Sequence, residues 1–183
     1  DRIWEELKRG NDLYVHAGSD YVERVMSHAK DEWRRELVKG QNPIASVLSC
    51  ADSRASPSLI FGCGQGDLFV IRNAGNVVGD NVLATLEFGL EHLKTRLLVI
   101  LGHEKCGAIR AAMNYLDATK RMVAGELVEL PKCPSHVCRL VKSLEPPVQW
   151  ACDHACRRKD EDGYEDEVSS LAVAENTRRS LAT

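Results

Sequence analysis

Two short stretches carry most of the side chains that could do chemistry. "SCADSR" at 49–54 places Cys50, Asp52 and Arg54 close together, directly after the apolar run "PIASVL". "GHEKCG" at 102–107 places His103 three residues before Cys106. Together they offer two sulfurs, one imidazole and one carboxylate. Zinc accepts all three donor types, usually four donors at a time in a tetrahedron. A strand tip that only had to turn would use Gly, Asn or Pro, so this cluster points to a site. Cys106 also directly precedes a predicted helix, where free backbone N–H groups and the helix dipole favour the thiolate a metal requires. An H-x-x-C or a C-x-D pair alone is a common accident. Their joint placement at the ends of two strands makes metal binding the stronger reading.

The elements that must hold these residues show in the apolar pattern. "IASVLS" at 44–49, "DLFVI" at 67–71 and "LLVIL" at 97–101 read as short buried parallel strands, although buried helix segments share that pattern. Between the last two, apolar residues at 82, 83, 86, 90 and 93 predict a helix over 80–94, with Asp80 or Asn81 at its N-cap. A further helix over 107–122 follows the third strand. Strands alternating with helices imply right-handed crossovers, hence an α/β fold with a mainly parallel central sheet flanked by helices. Sites in such sheets form at the carboxyl ends of the strands, which sets "SCADSR" and "GHEKCG" on one edge. Residues 1–39 predict an N-terminal arm of two amphipathic helices broken at "AGSD" (17–20), with Gly40 and Pro43 stopping the second. Beyond residue 123 the pattern weakens. "RRKDEDGYEDE" at 157–167 reads as a solvated loop and "VSSLAVAENTRRSLAT" as a final helix.

The totals bound the answer. A chain of 183 residues is the size of one domain, here taken as 1–183, and long enough to bury a substantial core. It is 44% hydrophobic and 28% charged, and its net charge of −3 creates no general field for nucleic acid or an anionic membrane. No apolar run is long enough to span a bilayer. Seven cysteines, an odd number, fit a reducing compartment with some thiolates on metal better than a secreted disulfide scaffold. That means the cytoplasm or an organelle such as a chloroplast or mitochondrion, and the first residue, Asp1, is compatible with an upstream targeting segment. "FGCGQGD" at 61–67 tempts as a phosphate loop, but it precedes a strand and lacks G-x-G-x-x-G spacing. "RNAGN" at 72–76 is the better nest. "KCPSHVC" and "CDHAC" place Cys133, His136, Cys138, Cys152, His154 and Cys156 at spacings that fit no zinc motif. Free thiols or a disulfide are expected there. His16, His28 and His92 read as surface or packing residues.

"SCADSR", "GDLFVIRNAGNVV", "LEFGLEHL" and "VILGHEKCGAIRAA" follow one another across residues 37–122. In order and spacing they resemble the successive signatures of a β-class carbonic anhydrase. The resemblance implies an α/β fold, one Zn2+ per chain, reversible hydration of carbon dioxide by a zinc-bound hydroxide, and a homodimer or a multiple of it. It implies Cys50, His103 and Cys106 as zinc ligands. Asp52 and Arg54 match a pair in which the arginine holds the carboxylate off the metal; in a closed arrangement the aspartate becomes a fourth ligand. Gln41 matches a glutamine that hydrogen-bonds substrate, and Phe69 an aromatic of the apolar substrate pocket. Phe88 stands where plant-type members carry a tyrosine, so that hydroxyl is missing. Ala55-Ser56-Pro57-Ser58 replaces the more usual Val-x-Pro-Glu, keeping the proline and losing the glutamate. The family continues into a further strand where this chain stops, so the C-terminal end reads as shortened. The same zinc architecture serves a hydrolase of carbon disulfide or carbonyl sulfide, and a catalytically silent zinc-binding or assembly protein is the non-enzyme alternative. An intact Asp52–Arg54 pair argues against the silent reading.

Overall fold

A computed structural model describes residues 2–16, 18–27, 30–132 and 134–182. These fall into two compact units, one of 1–72 with 78–101 and one of 73–77 with 102–183. In chain order the first unit holds α1 (Arg2–His16), α2 (Ser19–Ser27), α3 (Asp31–Val38), β1 (Ala45–Cys50), α4 (Pro57–Ile60), β2 (Leu68–Asn73), α5 (Asp80–Glu91) and β3 (Leu98–Leu101). The last residue of β2, Asn73, already belongs to the second unit.

The three strands predicted from their apolar runs form one sheet in the order β2-β1-β3. β1 and β3 run parallel, with Val47 opposite Val99, Leu48 opposite Ile100 and Ser49 opposite Leu101. Central β1 is buried along its whole length, as a strand covered on both faces must be. Alternate residues serve two cores. Ala45, Val47 and Leu68 pack with Leu7 of α1 and Phe61, while Leu48 and Ile71 pack with Leu86 of α5. The helix α5 comes unusually close to the sheet at Gly89, where an added Cβ would lie 2.6 Å from Ser46 Oγ and 2.9 Å from Phe69 Cδ1. It also ends earlier than the predicted 94, because Lys94 adopts a left-handed φ of 57°.

The arm differs from the sequence reading. The predicted second helix is two helices, α2 and α3, with Lys30 in extended backbone at the start of α3. Tertiary anchoring explains the extra break. Tyr21 and Arg24 of α2 donate to the carbonyls of Leu59 and Gly62, and Trp33 of α3 donates to that of Gln65. Each helix therefore turns its own donors onto successive carbonyls of the 59–66 turn. This also accounts for "FGCGQGD": Gly62 (φ 55°) and Gly66 (φ 95°) permit a turn that presents acceptors to the arm.

On α1 the closest approach is at Gly10, where an added Cβ would fall 1.8 Å from the carbonyl oxygen of Phe61. That neighbour is backbone and cannot swing aside. Gly10→Ala is expected to cost about 3 kcal/mol, the upper range for overpacking. Urea unfolding would show it as a lower midpoint, with amide exchange reporting whether α1 alone detaches.

The second unit is helical: α6 (Gly107–Val123), α7 (Ser135–Ser143), α8 (Glu145–His154) and α9 (Tyr164–Ala182). Neither α7 nor α8 shows in the apolar pattern, which weakens beyond residue 123, and α8 carries Pro146 and Pro147. They occupy the first turn of α8, where a missing N–H leaves no hydrogen bond unmade. The stretch 157–167, expected as a loop throughout, enters α9 at Tyr164. Glu165, Asp166 and Glu167 complement the positive helix end there.

Near the end of α9 lies Glu175, only 3% exposed, with its carboxylate taken by the guanidinium groups of Arg178 and Arg179 at 2.7 Å each. Those hydrogen bonds, Arg178's first, hold its carboxyl at about 2, below the ordinary 4.5. A depressed folded-state value stabilises the fold above pH 4.5 and ceases to do so as pH falls toward 2. Glu175→Gln is therefore expected to be less stable at neutral pH and to lose less than wild type on acidification. Urea midpoints measured across that range would check it.

Candidate metal centre

The sheet register brings the two reactive stretches together. Ser49 pairs with Leu101, so Cys50 and the "GHEKCG" segment leave neighbouring parallel strands in the same direction. Cys50 ends β1 and is 4% exposed. Cys106, 2% exposed, occupies the N-cap of α6 in extended backbone. Lys105, at a φ of 54°, turns the chain into that position. Gly102 has no room for a side chain, since a Cβ would meet Thr177 Oγ1 at 2.6 Å and Val173 Cγ1 at 2.9 Å.

The sulfurs of Cys50 and Cys106 and a ring nitrogen of His103 all lie within 4.8 Å of one another. Ligands about 2.0–2.3 Å from a tetrahedral zinc stand roughly 3.5–3.8 Å apart, a spacing inside that bound. The donor set fits as well. His103 Nδ1 lies 3.0 Å from the carbonyl oxygen of Glu104. A carbonyl can only accept, so Nδ1 carries the proton and Nε2 presents its lone pair. The backbone N–H of Asp52 donates to Cys50 Sγ at 3.4 Å, a contact that favours the thiolate. No other cluster of three such groups with this spacing occurs among the described residues.

Residues 45–181 match the family model described as carbonic anhydrase, three-quarters of the chain. The chain belongs to the β-class carbonic anhydrases. It is 39% identical over 114 residues to carbonic anhydrase 2 of Mycobacterium tuberculosis and 40% identical over 114 residues to a carbonic anhydrase of Mycolicibacterium smegmatis. Each alignment covers 62% of this chain and 53% of the relative. The chain thus spans about half the length of the curated relatives it matches. The solved β-carbonic anhydrase CcaA superposes with a TM-score of 0.65 at 26% identity, covering 86% of this chain and 70% of that one.

Around the metal group of this family member, Asp52 and Arg54 form a tight local pair. Arg54 Nε reaches Asp52 Oδ1 at 3.0 Å and Nη2 reaches Oδ2 at 2.8 Å, while the Arg54 backbone N–H adds a third bond to Oδ1 at 2.9 Å. Asp52 is not a member of the three-residue metal group. Phe69 and Phe88 come together, their ring centroids 6.1 Å apart, with Phe88 46% exposed and also against His92. Gln41 is exposed on the loop ahead of β1.

One positioning residue escaped the sequence reading. Arg72, at the end of β2, donates through Nε to the carbonyl of Cys50 at 3.0 Å and through Nη2 to that of Asp52 at 2.6 Å. A single guanidinium thereby fixes the backbone on both sides of Ala51. Only strand order could have revealed it, because β2 neighbours β1 across the sheet. Of the remaining cysteines, Cys138 is disulfide-bonded, and Cys152 and Cys156 are free thiols. Cys133 and His28 lie outside the described residues. Among those residues no helix is long and apolar enough to cross a membrane.

Proposed function

We propose that the chain is a zinc-dependent carbonic anhydrase that interconverts carbon dioxide and bicarbonate, with one Zn2+ held by Cys50, His103 and Cys106. Family membership supports the reading, and the grouped Cys/His/Cys donors carry it. Bound there, zinc would supply a nucleophile near neutral pH by acidifying water. Arg54 grips both oxygens of Asp52 and makes it an acceptor of fixed direction. Its role is to take a hydrogen bond from the attacking oxygen and aim it at the carbon. Phe69 and Phe88 offer an apolar wall suited to carbon dioxide, which has neither charge nor donor. The Gln41 amide would hydrogen-bond the bicarbonate that leaves.

The working form we propose is a homodimer or a multiple of it. In support, α1 and α2 expose Trp4, Val15, Val22 and Met26, at 41%, 68%, 55% and 59%, apolar surface that a second copy would cover. Stopped-flow carbon dioxide hydration with zinc analysis tests the activity, and sedimentation tests the assembly. The rate is expected to rise with pH, since the attacking water must lose its proton. Zinc-loaded chain that fails to hydrate carbon dioxide even at alkaline pH would overturn the reading.

A further inference from the structure

The loop 73–77, the greater part of the "RNAGN" nest, is closed by its own first residue. Asn73 Oδ1 accepts from the backbone N–H of Val77 at 2.8 Å, and Asn73 Nδ2 donates to the Val77 carbonyl at 2.7 Å. Inside that ring Gly75 and Asn76 both take left-handed backbone, with φ of 73° and 43°. A non-glycine residue keeps such a conformation only where its surroundings fix it. Here the fixing contacts come from far along the chain. Buried Asn176 of α9 donates through Nδ2 to the carbonyl of Gly75 at 2.8 Å, and Ser180 Oγ donates to that of Asn76 at 3.4 Å.

The same face of α9 also reaches the metal stretch. Val173, Asn176, Thr177 and Ser180 recur at helical spacing and so share one face. Val173 and Thr177 lie against Gly102, the residue before His103, so closely that a side chain there would collide with both. Gly75 in turn backs the first turn of α6, where an added Cβ would stand 3.1 Å from Ala108 Cβ. Cys106 is the N-cap of that turn. All these residues belong to the second unit. One helix face thus stands behind the backbone of two members of the metal group, His103 through Gly102 and Cys106 through Gly75 and Ala108. α9 itself contributes none of the three donors.

We infer that Asn176 is a positioning residue for the metal: by pinning the Gly75 carbonyl it braces the first turn of α6 and holds Cys106 where the metal group needs it. An apolar side chain would fill the same space without setting a distance, whereas an amide-to-carbonyl hydrogen bond sets one. Binding constellations need their members held to within about 0.5 Å. The inference rests on the zinc reading of Cys50, His103 and Cys106.

The test is zinc affinity, read by competition with a chromogenic chelator at neutral pH. It is paired with the visible absorption of the cobalt(II)-substituted full chain, whose bands report ligand geometry. Asn176→Ala is expected to bind zinc about tenfold more weakly, the lower end of outer-shell effects, and to shift the cobalt bands. Asn176→Asp, which keeps the shape and loses the donor, should do the same. Val168→Ala, a buried position earlier on α9, should unfold more easily yet match wild type in both readouts. If Asn176→Ala does not fold, amide exchange in the wild-type chain decides. By reciprocity, adding zinc should protect residues 173–180 and leave the first turns of α9 unchanged. Wild-type affinity and cobalt bands in folded Asn176→Ala, or no added protection at 173–180, would overturn the inference with the zinc reading intact. A wild-type chain that binds no zinc would overturn both.

Discussion

Cys106→Ser is expected to lose its zinc, and with it carbon dioxide hydration. A serine hydroxyl does not ionise near neutral pH, so the group of three donors falls to Cys50 and His103. Outer-shell changes alone cost about 10–100-fold in metal affinity, and loss of a direct ligand should exceed about 100-fold. Metal analysis of the purified variant reads this directly. A buried hydroxyl also carries a folding cost, which a control must separate from metal loss. Cys63→Ser provides it. Cys63 is equally buried, and burial first, then Asp67, pushes its thiol up to about 12, so it stays a neutral packing group. That variant should unfold more easily yet bind zinc in full. Full zinc occupancy in Cys106→Ser would remove Cys106 from the ligand set.

The second large effect concerns Arg54. Arg54→Ala removes two side-chain hydrogen bonds from the Asp52 carboxylate and leaves the backbone donor at Oδ1. The carboxylate is then held less firmly and, as an anion, is drawn toward the nearest cation. Zinc should remain bound, while carbon dioxide hydration drops about 10–100-fold. Arg54→Lys should recover part of the activity at most, because an ammonium keeps the charge but lacks the planar fork. Near wild-type turnover in Arg54→Ala would show that the pair has no catalytic part. The two experiments are complementary, one reading metal content and the other turnover at constant metal.

How far the sequence carried the structure depended on whether the decisive physics was local. β1, β2 and β3 were legible because continuous apolar runs have few other uses in a parallel sheet. The grouping of Cys50, His103 and Cys106 was legible because the strand pattern set their two stretches on one edge of the sheet. The division of α2 from α3 was not, since the apolar spacing runs through it and the break answers to carbonyls of the 59–66 turn. Arg72 was hidden for the same reason: its partners, Cys50 and Asp52, lie on another strand. In α8 the apolar pattern was too weak to show a helix, and its two prolines stand in the first turn, which they open well.

The Glu175 pair has a practical consequence for any study of the metal. Acid is a common way to strip zinc from thiolate and imidazole ligands, since protons compete for the same lone pairs. As pH falls toward 2 the same acid would discharge Glu175, leaving Arg178 and Arg179 side by side without their shared counter-ion. Apoprotein made that way would confuse loss of metal with loosening of the last helix. Chelation at neutral pH removes the ion and leaves the Glu175 contacts intact.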